Sequence, residues 1–231
     1  MKILAFDTSG GSFSAALCEK GRVLAEETII TNKTHARHVM PVIDRVLSLA
    51  GIEISELDLI AVSRGPGSFT GLRIGFGVAK GISYALSLPV VGVSTLDALV
   101  WPFRDSAKSA CAIVDARRGA VYTAKYLFSD GVICDKTDEM VCSPEQAVKN
   151  AEDCDLFCGS GASAYIGRME AALNKKIVPL NIESVINASD IAFLAAGKTL
   201  NNDGSDPSAV LPVYLRRSEA EINFEIRNPS V

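Results

Sequence analysis

Apolar and polar positions along the chain change period several times, and each change marks an element. Ile3 to Phe6 is a continuous apolar run that ends on Asp7, Thr8, Ser9 and two glycines. Ser12 to Leu17 then alternates, Lys20-Gly21 supplies a turn, and another extended run follows, which together predict a three-stranded meander. From Thr34 to Ala50 the period lengthens. Val39, Val42, Ile43, Val46, Leu47 and Ala50 fall on one face of a predicted helix closed by Gly51, with Pro41 expected to bend its first turns. Leu57 to Ser63 reads as a buried strand, Leu72 to Leu86 as a helix, and Pro89 to Val93 as another strand.

The opening phrase then returns. "CAIVDARRGAVYTAKYLFSDGVICDKT" restates "KILAFDTSGGSFSAALCEKGRVLAEETI", with Asp115 for Asp7, Gly119 for Gly11 and the alternating run Ala120 to Lys125 for Ser12 to Leu17. Each half opens with the same strand, acid, turn, strand unit. "WPFRDSAKS", from Trp101, marks the boundary and predicts lobes over 1–104 and 105–231. In the second half Ser143, Pro144 and Gln146 supply an N-cap, a first-turn proline and a capping box. "DLFCGSGA" predicts a short strand and glycine turn, followed by helices from about Ala164 to Lys175 and from Asn187 to Leu200, the latter with Ile191, Leu194 and Ala195 inward. The tail after Arg217 lacks periodicity and is expected to be poorly structured. Meanders followed by alternating helices and strands predict an α/β fold with a mixed sheet in each half.

Composition narrows the function. At 231 residues with 48% hydrophobic and 22% charged side chains, the chain can build two cores. A net charge of -4 argues against a protein that grips nucleic acid unaided. No apolar run is long enough to span a bilayer, and the first residues are too short in their apolar part for a signal peptide, so a cytoplasmic protein is expected. Six scattered cysteines without a CxxC pair read as reduced core thiols.

The stretch "SRGPGSFTGLRIG", from Ser63 to Gly75, holds the most information. A Walker loop fails here, because Pro66 offers no N–H and no Lys-Ser or Lys-Thr pair follows Gly71. The helix it launches carries two small-residue rows, Gly71/Gly75/Ala79/Ser83 and Gly77/Gly81/Ala85. Interior glycines cost about 1 kcal/mol each relative to alanine, so close packing on both sides is expected to offset Gly75, Gly77 and Gly81. Chemistry is sparse elsewhere. His35 and His38 lie too close to Arg37 and lack an evident third ligand, so no metal site is expected. Neither histidine accompanies a nucleophile elbow.

"ILAFDTS", "SRGPGSFTGLRIGFGVAKGISYALSLPVVGVSTLDAL", "VDARRGAVY" and "PVYLR" together resemble the TsaB (YeaZ) family across essentially the whole chain. The resemblance implies two ribonuclease-H-like lobes of the actin-like, Hsp70-like ATPase (ASKHA) fold. It further implies a noncatalytic subunit of the machinery that makes threonylcarbamoyladenosine in tRNA. In that family TsaB pairs with the transferase TsaD, the small ATPase TsaE joins them, and tRNA is met only through the complex. The contact is made by first-lobe helices, which assigns partner-facing roles here to His35, Val39, Val42, Val46, Leu72, Gly75, Phe76 and Ala79. The same apolar face is expected to form a homodimer when the chain is alone. The resemblance also places a magnesium-directing acid and a phosphate-binding hairpin at Asp7, Thr8 and Ser9, with Asp115 heading the matching hairpin, where Arg117 and Arg118 replace small residues. No cofactor is expected beyond weak ATP or ADP binding, at this subunit or at the complex interface. Many family members carry Ser-Glu where Ala36 and Arg37 stand, which removes an acid from that region. A self-sufficient actin-like-fold ATPase or small-molecule kinase and a glycoprotease-type metallopeptidase are the alternative readings.

Overall fold

The structure, a computed structural model, describes residues 1–30, 35–177, 185–200 and 206–217. The expected tail beyond Arg217 therefore lies outside the described residues. In the first half β1 (Lys2–Asp7), β2 (Ser12–Glu19) and β3 (Arg22–Ile30) form the predicted meander, and β4 (Leu59–Gly65) and β5 (Val90–Ser94) extend it in the order β3-β2-β1-β4-β5. β1 pairs antiparallel with β2 and parallel with β4, so the sheet is mixed. The second sheet repeats this plan. β6 (Ser109–Asp115), β7 (Val121–Ser129) and β8 (Val132–Lys136) make the meander, β10 (Leu156–Cys158) adds in parallel to β6, and the short β9 (Met140–Cys142) pairs with β7. The acids that head the two hairpins, Asp7 and Asp115, occupy the same last position of β1 and β6.

Helices cover the sheets in three layers. α1 (Val39–Ala50) and α2 (Phe69–Leu86) cover the outer face of the first sheet, where Phe6, Phe13, Val42, Ile43, Val62 and Phe76 form one core. α4 (Pro144–Lys149), α5 (Ser160–Ala164) and α6 (Ile166–Leu173) cover the outer face of the second around Ile113, Phe157 and Met169. Between the sheets lie α3 (Thr95–Val100) and α7 (Ala188–Leu200), in a shared core that joins Ala5, Val93 and Leu96 to Tyr126, Leu156 and Ile191. The two halves exchange cover here: α3, from the first half, packs on β6 and β7, while α7, from the second, packs on β1, β2 and β5. The sequence boundary at Trp101 falls in the turn before β6, yet the chain returns to the first sheet through α7.

Some local expectations hold and others shift. Gly51 takes the left-handed conformation at φ 66 and its N–H closes on the carbonyls of Leu47 and Ser48. Ser143 and Gln146 complete the capping box of α4. Pro41 stands in the first turn of α1, which starts at Val39, where a proline lacks only an N–H that would have no helical partner. The helix expected over Ala164–Lys175 is broken at Tyr165, whose φ of -117 interrupts it, giving α5 and α6. α2 starts at Phe69, earlier than its apolar period suggested, because the Ser68 hydroxyl accepts the Gly71 N–H at 3.2 Å.

Candidate functional site

The glycine-rich stretch is held by its own lobe. The first hairpin and the N-terminus of α2 are bonded together: Thr8 Oγ1 donates to the Gly71 carbonyl at 2.8 Å, and the Ser68 N–H donates to the Ser9 carbonyl at 2.8 Å. Gly67 and Gly71 let this happen. A methyl on Gly67 would stand 2.6 Å from the Ser9 carbonyl oxygen, and one on Gly71 would strike the Thr8 carbonyl. Gly75 belongs to the same row, since its missing methyl would overlap Thr8 Oγ1.

The sequence-derived interface residues consequently point inward. Val39, Val42, Val46, Leu72 and Ala79 are fully buried in the lobe, Phe76 is 5% exposed, and Gly75 is covered by Thr8. The physical reason is ordinary: the apolar stripe of an amphipathic helix faces its own sheet. The side chain of His35 lies outside the described residues. Among the residues that α2 presents to solvent is the other small-residue row, beside the exposed Met40 and Leu49 of α1. A methyl at Gly77 or Gly81 would meet nothing within 4 Å, and both residues are exposed along with Tyr84 and Ala85. Beside this row lies a groove of about 370 Å³ lined by Met40, Ile54, Val78, Gly81, Ile82, Ala85 and Leu86. None of these residues carries a polar side chain. The sequence held one signal for this face, a glycine row that the core of α2 had no use for.

The two acidic hairpins make several internal bonds, while the buried Ser9 hydroxyl has no hydrogen-bond partner among the described residues. Asp7, Thr8 and Ser9 are at most 3% exposed, and Asp7 Oδ1 accepts the Ser9 N–H at 3.0 Å. Asp115 Oδ1 accepts the Arg117 N–H at 2.8 Å and the Tyr165 hydroxyl at 2.9 Å, while its own N–H reaches Ser160 Oγ at 3.0 Å. That carboxylate raises the Tyr165 pKa by hydrogen bonding to the phenol. Residues 206–217 then tie the lobes together. Val210 enters the outer core of the first sheet, and the Val213 N–H donates to the Arg64 carbonyl at 2.7 Å. Tyr214 packs on Phe69 at 4.6 Å, and Arg216 Nη1 donates to the carbonyls of Ala116 and Arg117 at 2.8 and 3.0 Å. Gly65, at φ +105, must be glycine here because a methyl would sit 2.6 Å from the Val213 carbonyl oxygen. "PVYLR" and "SRGPGSFTG" are thus two sides of one contact.

Two polar clusters brace the middle layer. Tyr126 donates to Asp97 at 3.0 Å, Lys136 bridges Asp97 and Glu139 at 2.8 and 3.1 Å, and Glu139 also meets Ser94. Burial, then Asp97, drives the Tyr126 phenol far above its usual range. At the start of α7, Glu26 accepts from the Ser189 N–H and hydroxyl. Burial, followed by the Glu26 charge, raises Asp190 to about 6. The six cysteines are free, and burial pushes Cys18 and Cys111 up to about 12, so those two are inert thiols. Among the described residues, no three His, Cys, Asp or Glu side chains converge on a point that could hold a metal ion, and no helix is long and apolar enough to cross a membrane.

Duplicated mixed sheets with two helices between them define a two-lobed α/β protein of the actin-like fold. Ethanolamine utilization protein EutJ from Carboxydothermus hydrogenoformans shares this fold at a TM-score of 0.51 and 13% identity, over 83% of this chain and 89% of that one. The family model described as "TsaD: tRNA N6-adenosine threonylcarbamoyltransferase" matches residues 23–224. The "tRNA threonylcarbamoyladenosine biosynthesis protein TsaB" of Bacillus subtilis is 32% identical over 97% of this chain and 98% of its own, and that of Escherichia coli is 31% identical over 95% and 96%. The solved structure of YeaZ from Pseudomonas aeruginosa superposes at a TM-score of 0.81 with 33% identity, covering 93% of this chain and 99% of that one. The chain belongs to the TsaB (YeaZ) family.

Proposed function

We propose that this chain is a noncatalytic docking subunit in tRNA threonylcarbamoyladenosine biosynthesis, and that it pairs with a TsaD-like transferase through the exposed face of α1 and α2. The observation that carries the reading is the open glycine row. Gly77 and Gly81 each cost the helix about 1 kcal/mol and meet nothing within the lobe that would require their small size. A partner helix laid along Gly77, Gly81 and Ala85, with a side chain in the groove beside Met40 and Val78, supplies the missing requirement. In isolation the same face pairs two copies of this chain, and a TsaE-like ATPase joins the heterodimer.

The hairpins support the noncatalytic part of the reading. An actin-like ATPase needs its first acid and hairpin turned toward magnesium and phosphates. Here the Thr8 hydroxyl is used on Gly71, and the Asp115 carboxylate is held by Tyr165 and the Arg117 N–H. These groups do not fit a tightly held nucleotide, and the chain carries no turnover of its own. A bulky residue at Gly81 tests the docking. Gly81→Leu has open space in the monomer, so it retains wild-type circular dichroism while losing copurification with the TsaD-like subunit. Retained copurification by Gly81→Leu overturns the assignment of this face.

A further inference from the structure

We propose that the edge where α2 begins and residues 206–217, a strap between the lobes, cross to the second hairpin is a contact surface for RNA. The inference deepens the proposed function, on which it rests, by assigning to this chain a share of the RNA contact within the complex. Two aromatic rings lie there between arginines. The Arg73 guanidinium lies 4.0 Å over the Phe69 ring, Phe69 packs on Tyr214 at 4.6 Å, and two residues further on Arg216 grips the carbonyls of Ala116 and Arg117. Arg117 and Arg118 follow at the hairpin tip.

Three features distinguish this arrangement from a solvated charged edge. First, the chain as a whole is acidic, at -4, so clustering of arginine at one edge runs against its composition. Second, Arg117 and Arg118 both adopt left-handed backbone conformations, at φ 62 and 52, in a turn where glycine or asparagine would be less strained. The hairpin keeps two long cations in an unfavourable conformation, with both side chains exposed. Third, Tyr214 is 40% exposed although it is stacked on one face, leaving a ring surface for an unpaired base. The hairpin's own carboxylate, Asp115, does not neutralise the edge by reaching outward, being hydrogen-bonded to Tyr165 and the Arg117 N–H. Fixed arginines for phosphates, with an aromatic ring between them for a base, is the chemistry that single-stranded segments of RNA require.

The test uses fluorescence anisotropy with a labelled, unmodified tRNA transcript, on the complex of the full chain with its TsaD-like partner and on the full chain alone. Size exclusion first establishes whether the complex forms, so failure of docking is read separately from failure of RNA binding. With Arg73, Arg117 and Arg118 all changed to Ala, affinity falls at least about tenfold and the log–log salt slope decreases by about 2, at roughly 0.7 to 0.9 for each phosphate no longer neutralised. Tyr214→Ala lowers affinity by roughly tenfold without changing that slope, and Tyr214→Phe restores it. Lys175→Ala with Lys176→Ala, on the far side of the second lobe, changes nothing. Unaltered affinity and slope in the triple arginine variant, or displacement of the transcript by stoichiometric ATP with magnesium, overturns the proposal.

Discussion

Gly75 and Gly81 lie on the same helix and on opposite faces, and alanine at the two positions should move stability in opposite directions. At Gly81 the new methyl meets nothing within 4 Å, so the variant keeps the full helix-propensity gain of about 1 kcal/mol. For a protein of this size that raises the melting temperature by about 2–4 °C. At Gly75 the methyl overlaps Thr8 Oγ1, with Val62 Cγ2 at 3.4 Å behind it. Overpacking costs about 1–3 kcal/mol. Rotating Thr8 away breaks its 2.8 Å bond to the Gly71 carbonyl in a buried site, adding about 1 kcal/mol. After the propensity gain is subtracted, Gly75→Ala destabilises by about 1–3 kcal/mol. Thermal and urea denaturation of the two variants reads the difference directly. If both stabilise the protein equally, α2 does not pack against the first hairpin as described, and the division into an inward and an outward glycine row fails.

Other consequences follow from the strap and the middle layer. Arg216→Ala removes two charge-assisted bonds between the strap and the second hairpin, so hydrogen exchange at 116–119 accelerates and stability drops by about 1–3 kcal/mol; an unchanged exchange pattern counts against the strap. Asp190 binds its proton more tightly in the folded state, at about 6 against 3.8, so its contribution favours folding below about pH 4 and is lost as the pH rises through 6. Asp190→Asn is therefore expected to stabilise the protein at pH 7 by up to about 3 kcal/mol and to flatten this part of the pH profile; a loss of stability at pH 7 contradicts it.

How far the sequence could be read depends on the range of the physics involved. The duplicated meander, the Gly51 cap and the Ser143 capping box were legible because each rests on neighbouring residues and a fixed period. The middle layer was not. α3 has too few residues to show a period, and the cover of the first sheet by α7 depends on contacts such as the Ala188 N–H on Ser14 Oγ, far apart in sequence. The proposed docking face illustrates a different gap. The apolar stripe of α1 and α2 was visible, but Val42, Leu72 and Phe76 serve the core, and which glycine row stays uncovered is settled only by the position of Thr8. The clusters at Asp97 and Asp190 were invisible because their members come from separate strands and helices.

Where a TsaD-like transferase touches this chain is the point on which its proposed role turns. A photo-crosslinking amino acid at Tyr84, which is 65% exposed beside the open row, should capture the transferase in a mixture of the two purified proteins, and the same probe at Lys175 should not. Capture from Lys175 with none from Tyr84 would contradict the placement of the interface on α2.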